Sequence, residues 1–408
     1  MSAPSPTAAS LSTFTLMTPG TRTVWLLALG GFAIGTDTFV VAGVLPSLAE
    51  DLEVTLSGAG QVVTVFAVTF GVLAPLIAAL TAQVSRKKLL LVALGVFVVA
   101  NALSTFAPNY GSLLACRVLA AAGAAAYTPA AAGCAAMLVP AEQRARALSI
   151  VLGGTTVATV LGVPFATYVG SHTSWRAAFA IVAVAAVLAA LALALTMPDV
   201  PTPAIADLRT RLRVLGDVRV LGVIATTLLL FLGGFTVYTY IAPALVSGAG
   251  VGQDGVVLLL VVFGVAGVVG NMLGGRLTDK IGPFKVLMVA LAVFATSLLA
   301  LPTLIESQLG AAVALTIWGV TAWMCTVPQQ YRLFGMVPKV AIVAIGLNSS
   351  AVFLGIGLSG ATGGLMLHHM SVTQLGYVGG GLVLAALVVA LVQQRLMIPA
   401  AASDQQPA

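Results

Sequence analysis

Long apolar runs follow one another along this chain almost without a break, and nothing else about it limits the possible folds so severely. They lie near residues 23–46, 57–81, 88–106, 110–138, 146–170, 176–196, 218–246, 255–276, 284–304, 309–330, 340–367 and 375–395. About 20 residues of α-helix cross the hydrocarbon core of a bilayer, and in lipid each backbone N–H and C=O must be satisfied within the spanning structure. Runs of this length, without strict alternation of apolar and polar residues, predict helices rather than barrel strands. The chain has 408 residues, 60% of them hydrophobic and only 7% charged, which excludes an ordinary water-soluble domain. Twelve spans leave roughly 34 residues for each span with its loop, so connections are short and no soluble catalytic module fits. The sequence therefore predicts an all-α integral membrane protein with twelve transmembrane helices.

The few charges orient these spans. With the N-terminus inside, the loops bearing Arg86, Lys87 and Lys88, Arg144 and Arg146, Arg209 to Arg219, Arg276 to Lys285, and Arg332 with Lys339 all face the cytoplasm. Of the 18 Lys and Arg, only Arg176 then lies outside and only Arg117 within the membrane. Such a bias is the signature of cytoplasmic loops, and it places both termini inside. The net charge of +6 is spent on topology and forms no basic face for nucleic acid. Cys116, Cys134 and Cys325 all fall within apolar runs and lack metal-ligand spacing, so neither a disulfide framework nor a metal is expected.

The longest inner segment is rich in proline and charge and sits near the middle of the chain. It divides the sequence into a cytoplasmic tail (1–21), a six-helix half (22–197), a cytoplasmic linker (198–218), a second six-helix half (219–396) and a final tail (397–408). An internal repeat supports this division: Ala78 to Leu90 aligns without gaps on Gly275 to Leu287, and each copy follows the second helix of its half. Equivalent loops on the same side imply halves related by an axis along the membrane normal.

Within the apolar runs the sequence leaves two ionisable acidic or basic side chains, Asp37 in helix 1 and Arg117 in helix 4. A charge near the bilayer centre costs about 3 kcal/mol or more, so such residues face a partner, a cavity or a substrate path. At 1.5 Å per residue they lie about 14 Å and 10 Å from the outer ends of their helices, depths that permit a meeting. Burial and a neighbouring guanidinium act in opposite directions on a carboxyl, so a step that changes their separation can switch Asp37 between protonated and charged. The two are candidates for proton coupling, and equally for a static ion pair between helices 1 and 4. Gly31 and Gly35, like Gly270 and Gly274, have the small-xxx-small spacing of close helix contacts. On helix 7, Phe231, Phe235 and Tyr238 share one face and are candidates to line a substrate cavity, with Tyr127, Trp323 and Asn348 as weaker ones.

Four stretches carry a resemblance: Gly35 to Pro46 with Ala49 to Val54; Arg117 with Gly123 and Pro129; Leu161 to Pro164 with Trp175 to Phe179; and Gly275 to Lys285. In order and spacing the chain resembles the major facilitator superfamily over nearly its whole length, and more closely its bacterial drug:proton antiporter branch, with the arabinose-exporter-like and chloramphenicol-exporter-like members. The resemblance implies a major facilitator fold, a proton-transfer role for Arg117, and an antiporter signature at Gly162 and Pro164, although Val163 separates them here. It also implies gating or conformational roles for Arg86, Lys87, Gly275, Asp279, Lys280 and Gly282. The loop after helix 2 departs from the family pattern, with Ala82 in place of Asp and Ser85 in place of Gly.

The reading that follows is a monomeric secondary transporter of a bacterial cytoplasmic (inner) membrane, working by alternating access. It is expected to export small amphipathic drugs or metabolites, a chloramphenicol-like drug, a sugar or a nucleoside, in exchange for protons. Its partners are then a small-molecule substrate, protons and the lipid bilayer, with the proton as coupling ion and no cofactor. A proton-coupled importer of a small nutrient is the alternative. No phosphate-cradling Gly-x-x-x-x-Gly-Lys loop is present for an ATP-driven pump, and His172, His368 and His369 do not form a metalloprotease motif. Two repeated halves around one embedded acid favour alternating access over a continuous pore.

Overall fold

The computed structural model describes residues 19–81, 83–198, 200 and 213–403. Among them twelve helices are long and apolar enough to cross a membrane: α1 (Gly20–Asp51), α2 (Leu56–Leu80), α3 (Arg86–Thr105), α4 (Tyr110–Met137), α5 (Arg146–His172), α6 (Trp175–Thr196), α7 (Val218–Tyr238), α8 (Gln253–Ile281), α9 (Pro283–Leu304), α10 (Gln308–Met336), α11 (Val343–Met366) and α12 (Val372–Arg395). The expected linker and the expected N-terminal tail lie largely outside the described residues, as do residues 404–408. The last helix runs on to Ser403, into the stretch expected to be a tail.

Several helices differ from the sequence-based expectation, each at a residue that explains the change. The run 218–246 is not one helix. It stops at Tyr238, turns through Thr239 and Tyr240, and resumes as a short helix at Ile241–Ala249. Pro243 lies in the first turn of that second piece, where a missing N–H costs nothing. Helix α5 contains a π turn at Ala158–Gly162 directly before Pro164, which likewise lacks an N–H. Helix α10 bends at Cys325 and then continues through Thr326–Met336, which carries Arg332 out of its expected loop and into a span. Asp37 and Arg117 are therefore not the only charged side chains in the spans.

The two six-helix halves, α1–α6 and α7–α12, meet along two seams, α2 against α11 and α5 against α8. Glycine sets the separation at both. A methyl placed on Gly357 of α11 would lie 2.8 Å from the Val68 backbone nitrogen, and one on Gly360 2.6 Å from the Gly60 carbonyl. On α8, a methyl at Gly264 would lie 2.5 Å from the Thr159 carbonyl oxygen. The Phe70 and Phe353 rings stack 3.6 Å apart across the first seam. Tyr240, fully buried at the α7 break, donates its hydroxyl to the Gly360 carbonyl at 2.8 Å while its ring edge rests on Gly60.

These contacts do not extend through the molecule. One buried apolar cluster joins both halves around the end that carries Asp51, Ile241 and Val251. At the opposite end, which carries the basic loops, the buried residues divide into one cluster from the first half and another from the second, with Phe353 bordering the first. Buried apolar packing shared by both halves is thus concentrated at one end, the closed end, and toward the basic end each half has its own core. The closed end also holds the one contact between the halves of an acidic with a basic side chain among the described residues, His172 Nε2 to Asp254 Oδ1 at 3.4 Å, with the side chains 40% and 78% exposed. An exposed pair of this kind contributes at most about 1 kcal/mol, so closure rests on apolar packing over glycine.

Gly264→Ala tests this account, because the added methyl meets backbone that cannot yield. The variant is expected to lose about 1–3 kcal/mol of stability in the closed arrangement. Spin labels at Thr173 and Gln253, both at the closed end, should then report a larger population of long separations than in the native protein.

Candidate functional site

Asp37 and Arg117 meet. Arg117 Nη1 donates to Asp37 Oδ1 and Nη2 to Oδ2, both at 2.8 Å, a bidentate fork between α1 and α4. The two side chains are 0% and 1% exposed. The guanidinium also lies over the Phe66 ring of α2 at 4.4 Å and faces the Phe179 ring of α6 at 5.2 Å. Four helices thus converge on one ion pair, with aromatic faces rather than water around the cation. The neighbouring hydroxyls do not compete for the carboxylate: Thr36 donates to the Phe32 carbonyl at 2.9 Å and Thr38 to the Ile34 carbonyl at 2.8 Å. The Arg117 Nε is buried without a partner among the described residues.

Small residues let α1 come this close to its neighbours. Gly31 and Gly35 lie against Val151, Thr155 and Ala158 of α5, and Gly162 of the π turn lies against Thr36 and Phe32 of α1. Tyr127 ties α4 to α1 a second time, its hydroxyl donating to the Leu27 carbonyl at 2.8 Å and its ring covering Gly30. Fully buried there, Tyr127 stands apart from the aromatic wall described next.

The opposite side of α1 faces the second half through Phe39. Its ring lies 5.7 Å from Phe235, 6.2 Å from Tyr238 and 6.4 Å from Trp323. Phe231, Phe235 and Tyr238 follow one another along α7, and Tyr238 continues to Phe263 at 5.2 Å and Trp318 at 6.3 Å. Phe294 stacks beneath Trp318. All of these rings except Phe39, which packs against the wall without lining it, border a cavity of about 20 Å³, space for about one water molecule. Among the described residues, the Tyr238 hydroxyl and the indole N–H groups of Trp318 and Trp323 make no hydrogen bond. The site is an apolar aromatic chamber with three polar hydrogens to offer and no charge in its lining.

Of the candidate cavity residues, the structure brings together Phe231, Phe235, Tyr238 and Trp323. Asn348 is buried on α11 outside this wall, with its Oδ1 unpartnered among the described residues. Sequence reasoning missed Phe39, Phe263, Phe294 and Trp318. Phe39 sits two positions after the singled-out Asp37, while the other three stand on separate helices with no shared period to reveal them.

A family model, that of the Major Facilitator Superfamily, matches residues 27–342. The chain belongs to the Major Facilitator Superfamily. Superfamily relatives run nearly its full length. "Uncharacterized MFS-type transporter YtbD" of Bacillus subtilis (strain 168) is 33% identical over 370 residues, 89% of this chain and 92% of that protein. "Inner membrane transport protein YdhP" of Escherichia coli (strain K12) is 32% identical over 364 residues, 88% of this chain and 93% of that one. The fold is shared with a bacterial homolog of the human lysosomal transporter Spinster, solved inward-facing and unoccupied, at a TM-score of 0.68 and 17% identity, covering 92% and 95% of the two chains. The protein is a multi-pass membrane transporter.

The superfamily motif residues fall where the helices turn. Gly282 ends α8 at φ 88°, a backbone that glycine alone adopts without strain, and Pro283 opens α9. Its counterpart in the first half, Ser85, has φ −57° and caps α3 by accepting from the Lys88 N–H, so glycine is not required there. Arg86 is buried in the first turn of α3, with Lys87 half-buried beside it. Gly275 is half-buried, whereas Asp279 and Lys280 are exposed, and Asp279 makes no ion pair among the described residues.

Removing one member of a buried pair strands the other charge, at a cost of about 3–5 kcal/mol. Arg117→Gln is therefore expected to lower the thermal unfolding midpoint of the detergent-solubilised protein by several degrees. The double variant Asp37→Asn/Arg117→Gln, which removes both charges, should recover most of that loss.

Proposed function

We propose that this transporter is a proton-coupled antiporter that exports small amphipathic compounds, a drug, sugar or nucleoside, by alternating access. It works as a monomer, with the proton as coupling ion and no cofactor. One observation carries the reading: α1 bears Asp37, forked to Arg117, on one side and Phe39, packed against the aromatic chamber, on the other. Two residues are about 200° apart around a helix, so the same turn of α1 presents its carboxylate to its own half and its ring to the other.

Coupling follows from that placement. Protonation of Asp37 discharges one end of the fork, leaves the Arg117 cation against a neutral carboxyl, a weaker contact than the ion pair, and loosens α1 from α4. Phe39 moves with α1, and the chamber, now too small for any ligand, opens where Phe231 and Phe235 are only half-buried. The rings supply a face for an apolar or planar portion, and the free hydroxyl and indole hydrogens suit a neutral acceptor. With the basic end in the cytoplasm, the closed end faces outward, and in the proposed cycle the forked pair belongs to the step after proton release to the inside. Entry of one proton down a potential of 100 mV supplies about 2.3 kcal/mol, sufficient for roughly fiftyfold accumulation of a neutral substrate.

The test uses everted membrane vesicles, acidified inside, challenged with chloramphenicol, a lipophilic cationic dye, arabinose or inosine. Antiport predicts proton release on addition of at least one of them, abolished by Asp37→Asn. External alkalinisation instead would indicate cotransport and import. Undiminished release from Asp37→Asn would reduce the pair to a structural tie.

A further inference from the structure

Arg332 lies far from the Asp37 fork, at the basic end of α10, and is 6% exposed. Its guanidinium meets no carboxylate among the described residues. Nη1 donates to Gln329 Oε1 at 3.0 Å and Nη2 to Gln393 Oε1 at 2.6 Å, both neutral amide oxygens. Those amides are themselves held by α7, since Gln329 Nε2 donates to the Val223 carbonyl at 3.2 Å and to Thr227 Oγ1 at 3.1 Å, and Gln393 Nε2 donates to the Arg219 carbonyl. Three helices thus fix the direction of the guanidinium, and the Phe284 ring faces it at 5.6 Å, but no carboxylate among the described residues balances its charge. These two bonds occupy two of its five N–H donors. A buried cation without a counter-charge is costly, and the ordinary remedies are a paired anion or a bound one.

Beside Arg332 opens a cavity of about 420 Å³. Its walls include Gly282, Pro283, Lys285, Arg332, Met336 and Gln394, and they contain a second cation, apolar surface and no acidic side chain. The cavity sits where α8 and α10 end, at Ile281 and Met336, and where α9 begins, at Pro283, and the ends of spanning helices lie at the height of the headgroups in a bilayer. Ile281 and Phe284 line its mouth as exposed and half-buried apolar residues. We infer that this cavity binds a phosphate group, the phosphodiester of an anionic phospholipid or the phosphate of a soluble compound, with Arg332 and Lys285 as its two cationic contacts. A planar guanidinium matches two phosphate oxygens at once, and basic pockets between spanning helices suit anionic headgroups. The site shares no residue with the aromatic chamber and does not depend on what the chamber transports.

The experiment measures the unfolding midpoint of the full-length protein in an uncharged detergent. The titrants are phosphatidylglycerol, phosphatidylcholine, inorganic phosphate, and sodium chloride at matched ionic strength. A rise with phosphatidylglycerol beyond that with phosphatidylcholine and sodium chloride is expected, weakened about tenfold in apparent affinity by Lys285→Gln, an exposed position whose change does not threaten the fold. Arg332→Lys, which keeps the charge but loses the fork, should weaken it as well. A comparable rise with inorganic phosphate, equally sensitive to Lys285→Gln, would assign the site to soluble phosphates. No rise with either ligand, or a rise that both variants retain in full, overturns the inference.

Discussion

The carboxylate and guanidinium joined between α1 and α4 govern the first half of this molecule. Both side chains are fully buried, so neither charge is tolerable alone, and the fork both satisfies them and fixes how the two helices face each other. Everything around the pair respects it. Phe66 and Phe179 wall the cation with ring faces, Thr36 and Thr38 direct their hydroxyls to the backbone, and the glycines of α1 let α5 close over it. In the proposed coupling this cost of burying charge becomes useful, because a neutral Asp37 would hold Arg117 less tightly.

Position then connects that chemistry to the other half. Helix α1 both belongs to the ion pair and packs against the wall of the aromatic chamber, through side chains two residues apart. No long relay is needed, since a rigid helix that shifts at Asp37 also shifts at Phe39. The chamber rests on packing between rings of α7, α8, α9 and α10, a surface that can rearrange without breaking hydrogen bonds, because its polar hydrogens make none.

Much of this could be read in the sequence because lipid allows few solutions. The twelve apolar runs became twelve helices, and the two embedded charges of opposite sign on runs of matching depth became partners. Small residues at four-residue spacing marked real helix contacts at Gly31 and Gly35, and at Gly270 and Gly274, which lie against α10. What stayed hidden depends on relations between helices. The α7 break needs Tyr240 to find the Gly360 carbonyl 120 residues away, and nothing local announces it. Arg332 read as a loop cation because the charge itself marked an apparent end to the apolar run, although its glutamine partners allow the helix to continue. Phe263, Phe294 and Trp318 are single aromatics on three helices, and only assembly turns them into one wall. Tyr127 shows the reverse error of scale: an aromatic on the right helix, spent on a backbone carbonyl of α1.

Tyr240 has a consequence for how the closed end opens. Its hydroxyl donates to Gly360 in its own half, and its contact with Gly60 across the seam, through the hydroxyl oxygen and ring edge, includes no hydrogen bond. When the halves separate there, no buried donor or acceptor is left stranded, and the glycine faces on either side expose little beyond Cα and carbonyl surface. The barrier is then a matter of wetting: what fills the widening gap, lipid tail or water, decides how readily it parts. A joint of this kind takes its stiffness from the membrane around it, so bilayer thickness and lateral pressure become parameters of the transport cycle.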